Sequence, residues 1–219
     1  MKNLMFILFF VGVILQCGNA QSKFSHFYLY SAFSPHQAPV TSGLFVNRED
    51  PSKEFRFNLT DIRSEYHFGI RKNFAFRYPF FGTLGLEYGQ QHLTYSMNFT
   101  YPQENMPSLM TLLTTQKTLT CPAGIGVRMK FVEVTSGLLL QYSLKSTMSS
   151  DHGMDIHMKE HGTEFGWYTG VALIAGKSQI GVRYQSTMSR YGSNLLHHGN
   201  TMELRNIPGN LMFTVGFSF

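Results

Sequence analysis

Apolar and polar side chains alternate one for one in segment after segment of this chain, each segment about ten residues long. Arg63 to Lys72 sets Tyr66, Phe68 and Ile70 against Glu65, His67, Gly69 and Arg71. Phe80 to Gln91 sets Leu84, Leu86 and Tyr88 against Thr83, Gly85, Glu87 and Gly89. Ile125, Val127, Met129 and Phe131 then oppose Gly124, Gly126, Arg128 and Lys130. Leu138, Leu140, Tyr142 and Leu144 oppose Gly137, Gln141, Ser143 and Lys145, and Phe165, Trp167, Val171 and Leu173 oppose Glu164, Gly166, Tyr168 and Gly170. Ile180, Val182 and Tyr184 face away from Gln179, Gly181, Arg183 and Gln185. In the last segment Leu211, Phe213, Val215, Phe217 and Phe219 alternate with Asn210, Thr214, Gly216 and Ser218. Successive strand side chains point to opposite faces. Each segment therefore predicts a strand with one apolar wall and one wall of glycine, hydroxyl and scattered charge. Lys23 to Phe33, aromatic and extended but without a clear phase, adds a first strand and brings the number to eight.

The connections between these segments alternate in length. Compact turns are predicted near Asn73 to Pro79, near Val132 to Thr135 and at Gly176-Lys177. Long stretches separate them, at about Ser34 to Ile62, His92 to Gln116, Ser149 to Gly162 and Ser189 to Pro208. An even number of strands with short turns at one end and long loops at the other predicts an all-β, eight-stranded antiparallel transmembrane up-and-down β-barrel. The expected short turns are periplasmic and the four long loops lie outside. One hairpin fixes its own register: with Gly176 supplying a positive φ, Ala175 pairs Ser178, Leu173 pairs Ile180, Val171 pairs Val182 and Gly170 falls opposite Arg183. Pro122 cannot donate to a ladder and predicts a bulge or the upper edge of the fourth strand.

Composition sharpens this picture. Charged residues make up 14% of the chain, where roughly 25% is usual for soluble domains, while aromatics reach 15%. Low charge and many aromatics suit an outer wall that meets lipid, with Tyr88, Tyr142, Tyr184 and Trp167 near strand ends as a girdle at the headgroups. The net charge of +5 is spread without a Lys/Arg cluster, so nucleic acid is not an expected partner. At the start, Lys2 precedes an apolar run from Leu4 to Leu15 and the small-residue segment Gly18-Asn19-Ala20. This reads as a signal peptide cleaved after Ala20, leaving 21–219 as the barrel domain. A lipoprotein leader ending before Cys17 is the competing reading, disfavoured by Gln16 in the position where a small side chain is expected. Cleavage leaves Cys121 as a single cysteine and excludes an intramolecular disulfide.

The segments Tyr66-His67-Phe68-Gly69-Ile70-Arg71 and Leu84-Gly85-Leu86-Glu87-Tyr88-Gly89 resemble the small bacterial outer-membrane β-barrel domain proteins, including the porin-like or PorT-like group. So do Leu119-Thr120-Cys121-Pro122 leading into Val127 to Phe131, Glu164-Phe165-Gly166, and the aromatic C-terminus. The resemblance covers nearly all of 22–219. It implies the barrel fold and the bacterial outer membrane, and it implies no particular reaction, because function lives in sites placed on folds. Phe217 and Phe219 resemble the aromatic C-terminal signal read by the barrel-assembly machinery. That machinery and outer-membrane lipid are therefore expected partners, together with an unidentified extracellular partner at the long loops.

The candidate chemistry lies on the inner wall. Glu65, Arg71, Glu87, Arg128, Lys130, Lys145, Glu164 and Arg183 are expected there as a lumen charge network. An eight-stranded barrel is just wide enough for side chains to fill it, so the expected role is a paired plug rather than an open pore. A catalytic reading would need a Ser/His/carboxylate set. Ser64 and Glu65 point to opposite faces and no G-x-S-x-G elbow is present, so no catalytic residue is assigned and neither a lipid-A acylase nor a deacylase is favoured. His152, His157 and His161 near Asp151, Asp155 and Glu160, with His197-His198, are the metal candidates. His157 and His161 share a face only on a helix, which Gly153 and Gly162 oppose, so neither a metal nor another cofactor is expected.

Overall fold

A computed structural model describes residues 26–35, 41–45, 55–99, 109–150, 156–158, 163–187, 195–197, 200–202 and 209–219. Residues 1–20, expected to be a signal peptide and containing Cys17, and much of the four long connections lie outside the described residues. Eight strands make up the ring: β1 Phe27–Ser34, β2 Phe55–Ala75, β3 Phe80–Phe99, β4 Leu109–Met129, β5 Val132–Ser150, β6 Thr163–Ala175, β7 Ser178–Thr187 and β8 Asn210–Ser218. Each pairs antiparallel with its sequence neighbour, and β1 closes the ring by pairing with both β8 and β2. Phe33, for example, stands between Phe213 and Tyr66. Closure removes the free sheet edges that make open β-structures prone to association. Thr41–Phe45 adds a further strand to the start of β2, and Ile156–Met158, Leu195–His197 and Asn200–Met202 form a separate small sheet. No described residue is helical.

The alternation read from the sequence is the alternation of the wall. Tyr28, Tyr30 and Ala32 of β1 point inward and are buried, while Leu29 and Phe33 are exposed, which settles the phase of that strand. Outside, Ile125, Leu173 and Ile180 are each more than 60% exposed, and they belong to a continuous apolar belt. The belt is bounded at the long-connection end by Phe33 and Tyr66 (ring centroids 5.2 Å apart), Tyr88, and Trp167 and Tyr184 (5.3 Å). At the other end it is bounded by Phe76, Tyr78, Phe80, Phe131 and Phe219. From Tyr66 to Phe74 the strand runs about 27 Å, and a tilt of about 45° reduces that to roughly 20 Å of height.

The hairpin at Gly176-Lys177 has the expected register: Ala175 opposite Ser178, Val171 opposite Val182 and Gly170 opposite Arg183. Gly176 takes φ +60°, where an added Cβ would be strained.

Four sequence expectations are corrected. First, β2, β3 and β4 run 20 or 21 residues and β5 runs 19, so much of Ser34 to Ile62 and of His92 to Gln116 is strand rather than loop. These four strands extend past the belt, where the outer positions become Ser64, Gln90, His92, Lys117 and Thr115. Second, the turn expected at Val132 to Thr135 falls at Lys130-Phe131. Lys130 has φ +42° and is exposed, so it is not a lumen charge, and Val132 to Thr135 are ladder residues of β5. Third, Pro122 neither bulges nor ends its strand. The register is the same on both sides of it, Leu84 opposite Ala123 and Glu87 opposite Thr120, and its ring occupies the space left by the missing side chain of Gly85. Fourth, the β4–β5 ladder slips between Thr118↔Ser143 and Lys117↔Lys145, with Leu144 as the extra residue of a bulge. The slip puts position 145 opposite Lys117 rather than in the inner-wall register. The side chain of Lys145 lies outside the described residues.

Candidate functional site in the barrel lumen

The inner wall gathers its charges into two clusters. In the deeper one, Arg183 of β7 forks onto Glu87 of β3, Nη1 donating to Oε1 at 2.6 Å and Nη2 to Oε2 at 2.8 Å. Two parallel charge-assisted bonds of this kind are the strongest arrangement a guanidinium and a carboxylate make. Gly170 stands opposite Arg183 and Gly89 opposite His67, and the missing side chains leave room for the guanidinium stem and the imidazole. His67 of β2 bridges the same carboxylate to a second one, Nδ1 lying 3.0 Å from Glu87 Oε2 and Nε2 lying 2.6 Å from Glu65 Oε1. Glu65 also accepts from the amides of Gln91 (3.3 Å), Gln185 (3.1 Å) and Asn210. Asn210 in turn accepts from the Ser34 hydroxyl. These groups are nearly removed from solvent, so each partner offsets a desolvation cost of several kcal/mol per ion.

The second cluster centres on Glu133 of β5, nearer the short turns. Arg71 Nη2 donates to Glu133 Oε1 at 3.1 Å, and Arg128 donates to Oε2 through Nη2 at 2.6 Å and Nε at 3.3 Å. Gln179 donates to Oε1 at 3.2 Å and accepts from Arg71 at 2.6 Å, and Arg128 also donates to the Tyr28 hydroxyl at 2.6 Å. Tyr30 joins the clusters, its ring 5.8 Å from the Arg71 guanidinium and 6.0 Å from that of Arg183. Three carboxylates, Glu65, Glu87 and Glu133, thus meet three guanidiniums, Arg71, Arg128 and Arg183. Tyr168, Leu139, Met212 and Phe81 fill the space around them. Towards the long connections Leu93, Tyr95, Met110 and Leu112 turn inward and are almost wholly buried, an apolar layer above the charged one.

The eight expected lumen charges therefore divide. Glu65, Glu87 and Arg183 meet in one cluster and Arg71 and Arg128 in the other. Glu164 is half-buried opposite Gln141, three strands round from Glu87. Lys130 stands at a turn. Glu133, which anchors the second cluster, was hidden by the misplaced turn. The signal for it was present, since Val132 and Val134 alternate with Glu133 and Thr135 directly after Phe131.

The chemistry open to His67 is narrow. Both ring nitrogens are taken by carboxylates, so none remains to accept a proton from a hydroxyl, and Ser64 lies on the opposite face. Among the described residues no group of three His, Cys, Asp or Glu side chains is arranged to hold a metal ion. Of the loop histidines, His152, His161 and His198 lie outside the described residues. Ile156–Met158 is a strand rather than a helix, and His157 stands opposite Leu196 while His197 stands opposite Ile156.

No family model and no curated protein matches this chain. Among solved structures, one that is similar is the outer membrane protease OmpT from Escherichia coli, at 11% identity and a TM-score of 0.44, over 92% of this chain and 99% of that one.

Proposed function

We propose that this protein is a bacterial outer-membrane β-barrel of the porin-like or PorT-like kind, whose lumen its own side chains close. It acts as a structural or surface-interaction protein through the end that carries the long connections. The observation behind this reading is the pairing of an exposed apolar belt with a charge-balanced interior. Burying a large apolar side chain is worth about 1.5–3 kcal/mol, so a closed ring that leaves a whole belt of them outside is unstable in water and at home in hydrocarbon. Among the described residues, the two lumen clusters set three carboxylates against three guanidiniums in direct ion pairs and hydrogen bonds, an arrangement suited to closing the lumen rather than drawing an ion through it. Beyond the belt, β2, β3 and β4 continue through the outer positions Ser64, Gln90, His92, Lys117 and Thr115, and β2 carries the appended strand Thr41–Phe45, a surface suited to a partner outside the cell. No catalytic constellation is part of this reading.

The test is to fold the full mature chain into detergent and planar bilayers. The expected results are a gel band that migrates differently before and after boiling, and bilayers without stable, sizeable currents. Stable open currents would overturn the closed lumen and favour a narrow transport or secretion-associated component. Identical migration, with the protein fractionating as soluble, would overturn the membrane reading.

Phe217 and Phe219 are proposed as the signal read during assembly. Phe219 stacks on Phe27 (6.2 Å, 17°) and donates its N–H to the Phe27 carbonyl at 3.0 Å, so it fastens the closing strand to the first. Deleting Phe219 is expected to lower the amount of inserted, heat-modifiable barrel in cells. Normal levels of folded barrel without it would defeat that assignment.

A further inference from the structure

The short-turn end is cationic in a way the lumen does not explain. Each of the three tight turns carries an exposed basic residue: Arg77 between β2 and β3, Lys130 between β4 and β5, and Lys177 between β6 and β7. None of these turns carries Asp or Glu. The backbone carbonyls of Arg77 and Lys177 accept bonds from Phe80 N (2.8 Å) and Ser218 N (2.7 Å), so the turns are held through main chain and the charged side chains are left over. Exposed aromatics flank them: Phe76, Tyr78 and Phe80 beside Arg77, and Phe131 beside Lys130. Lys72, on the outer wall at the same end, is buried under aromatic rings, its ammonium 4.6 Å from the Phe27 ring centroid and 5.5 Å from that of Phe74, and is not part of the exposed face.

Between the first two turns is a hollow of about 150 Å³ lined by Phe76, Tyr78, Pro79, Phe80, Asn73 and Arg128. The Pro79 carbonyl accepts from Arg128 N at 2.9 Å, tying the turns together beneath it. Glu133 and Tyr28 occupy Nε and Nη2 of Arg128, and Nη1 bonds to neither. Aromatic side chains sit at the level of lipid headgroups, and cations near an anionic leaflet are each worth about 1 kcal/mol, or roughly fivefold in binding.

We infer that this face docks on the headgroups of anionic phospholipid. Arg77, Lys130 and Lys177 contact phosphates at three points of the ring, and the hollow beside Arg128 admits one headgroup. The complementarity is of charge, and the surface continues directly into the apolar belt, so the lipids that cover the belt present their headgroups to it. This inference rests on the membrane reading above.

The test uses the full mature chain folded in neutral detergent and follows the temperature at which the unboiled band is lost. Short-chain phosphatidylglycerol, short-chain phosphatidylcholine and inorganic phosphate are titrated separately. Phosphatidylglycerol is expected to stabilise at lower concentration than phosphatidylcholine, with inorganic phosphate inactive. The triple variant Arg77→Gln, Lys130→Asn, Lys177→Gln is expected to lose that preference by roughly fivefold per charge. Asparagine is chosen at 130 because it tolerates positive φ. Raising the salt should also erode the preference of the unaltered protein, because exposed charges are screened. Equal responses to the two lipids, a preference indifferent to salt, a variant that retains it, or inorganic phosphate reproducing the effect would each overturn the inference. In all of these cases a heat-modifiable barrel still forms, so the membrane reading stands. Failure to fold in any amphiphile would instead remove both.

Discussion

Replacing Glu87 by alanine is expected to destabilise the folded barrel by about 3–5 kcal/mol, the cost of leaving a buried charge without its partner. Glu87 is completely buried, and two groups depend on it: the forked Arg183 guanidinium and Nδ1 of His67. The remaining nearby carboxylate, Glu65, is already saturated by His67, Gln91, Gln185 and Asn210, so it cannot replace what is lost. The measurement is the urea midpoint for loss of the heat-modifiable band in micelles. A second variant separates an orphaned charge from a poorly filled space: Glu87→Ala combined with Arg183→Met should recover most of the stability, because the stranded guanidinium is gone. A single variant as stable as the unaltered protein would show that the ion pair is not what holds the lumen.

Gly137→Val is expected to block closure of the ring outright, through backbone rather than charge. Gly137 of β5 stands opposite Gly124 of β4, and a Cβ built on it would lie 2.2 Å from the Ala123 carbonyl oxygen and 2.5 Å from Gly124 Cα. Those are main-chain atoms of a ladder and cannot swing aside as a side chain would. Overpacking commonly costs about 1–3 kcal/mol where side chains yield, so the cost here should reach the top of that range or exceed it. Loss of the folded band at temperatures where the unaltered protein keeps it is the expected result. Gly176→Val, whose Cβ meets nothing within 4 Å, serves as a comparison limited to φ strain.

The phase of every strand but the first was legible in the sequence because one wall is apolar and the other is not. Where Tyr66, Phe68 and Ile70 form the apolar outer wall, Glu65, His67 and Arg71 have only one other side to occupy. Above the belt that constraint ends. Residues such as His92, Thr94, Thr115 and Lys117 meet mixed surroundings on both faces, so strands that continue for several more residues looked like loop. The turn at Lys130-Phe131 was missed because it contains neither glycine nor asparagine, and a lysine at positive φ leaves no compositional mark. The slip at Leu144 was invisible for a related reason: a bulge alters phase by one residue without requiring any particular side chain. The inner wall could be populated from sequence but not wired. Glu87 and Arg183 lie on opposite sides of the ring order, and their meeting depends on how far each strand is staggered against the next, which alternation alone does not specify.

The junction of β1 with β8 has a consequence for how the ring comes to exist. Six residue pairs span it, against seventeen between β3 and β4, and it joins strands from the two ends of the barrel sequence. Hairpins joined by two-residue turns close cheaply and early, whereas uniting distant segments carries the largest entropic cost of loop closure. The seam is therefore the last contact to form, and what fastens it is small: a Phe27–Phe219 stack and a handful of ladder bonds. A latch made last and held by the fewest bonds is also the place where the finished ring first comes apart.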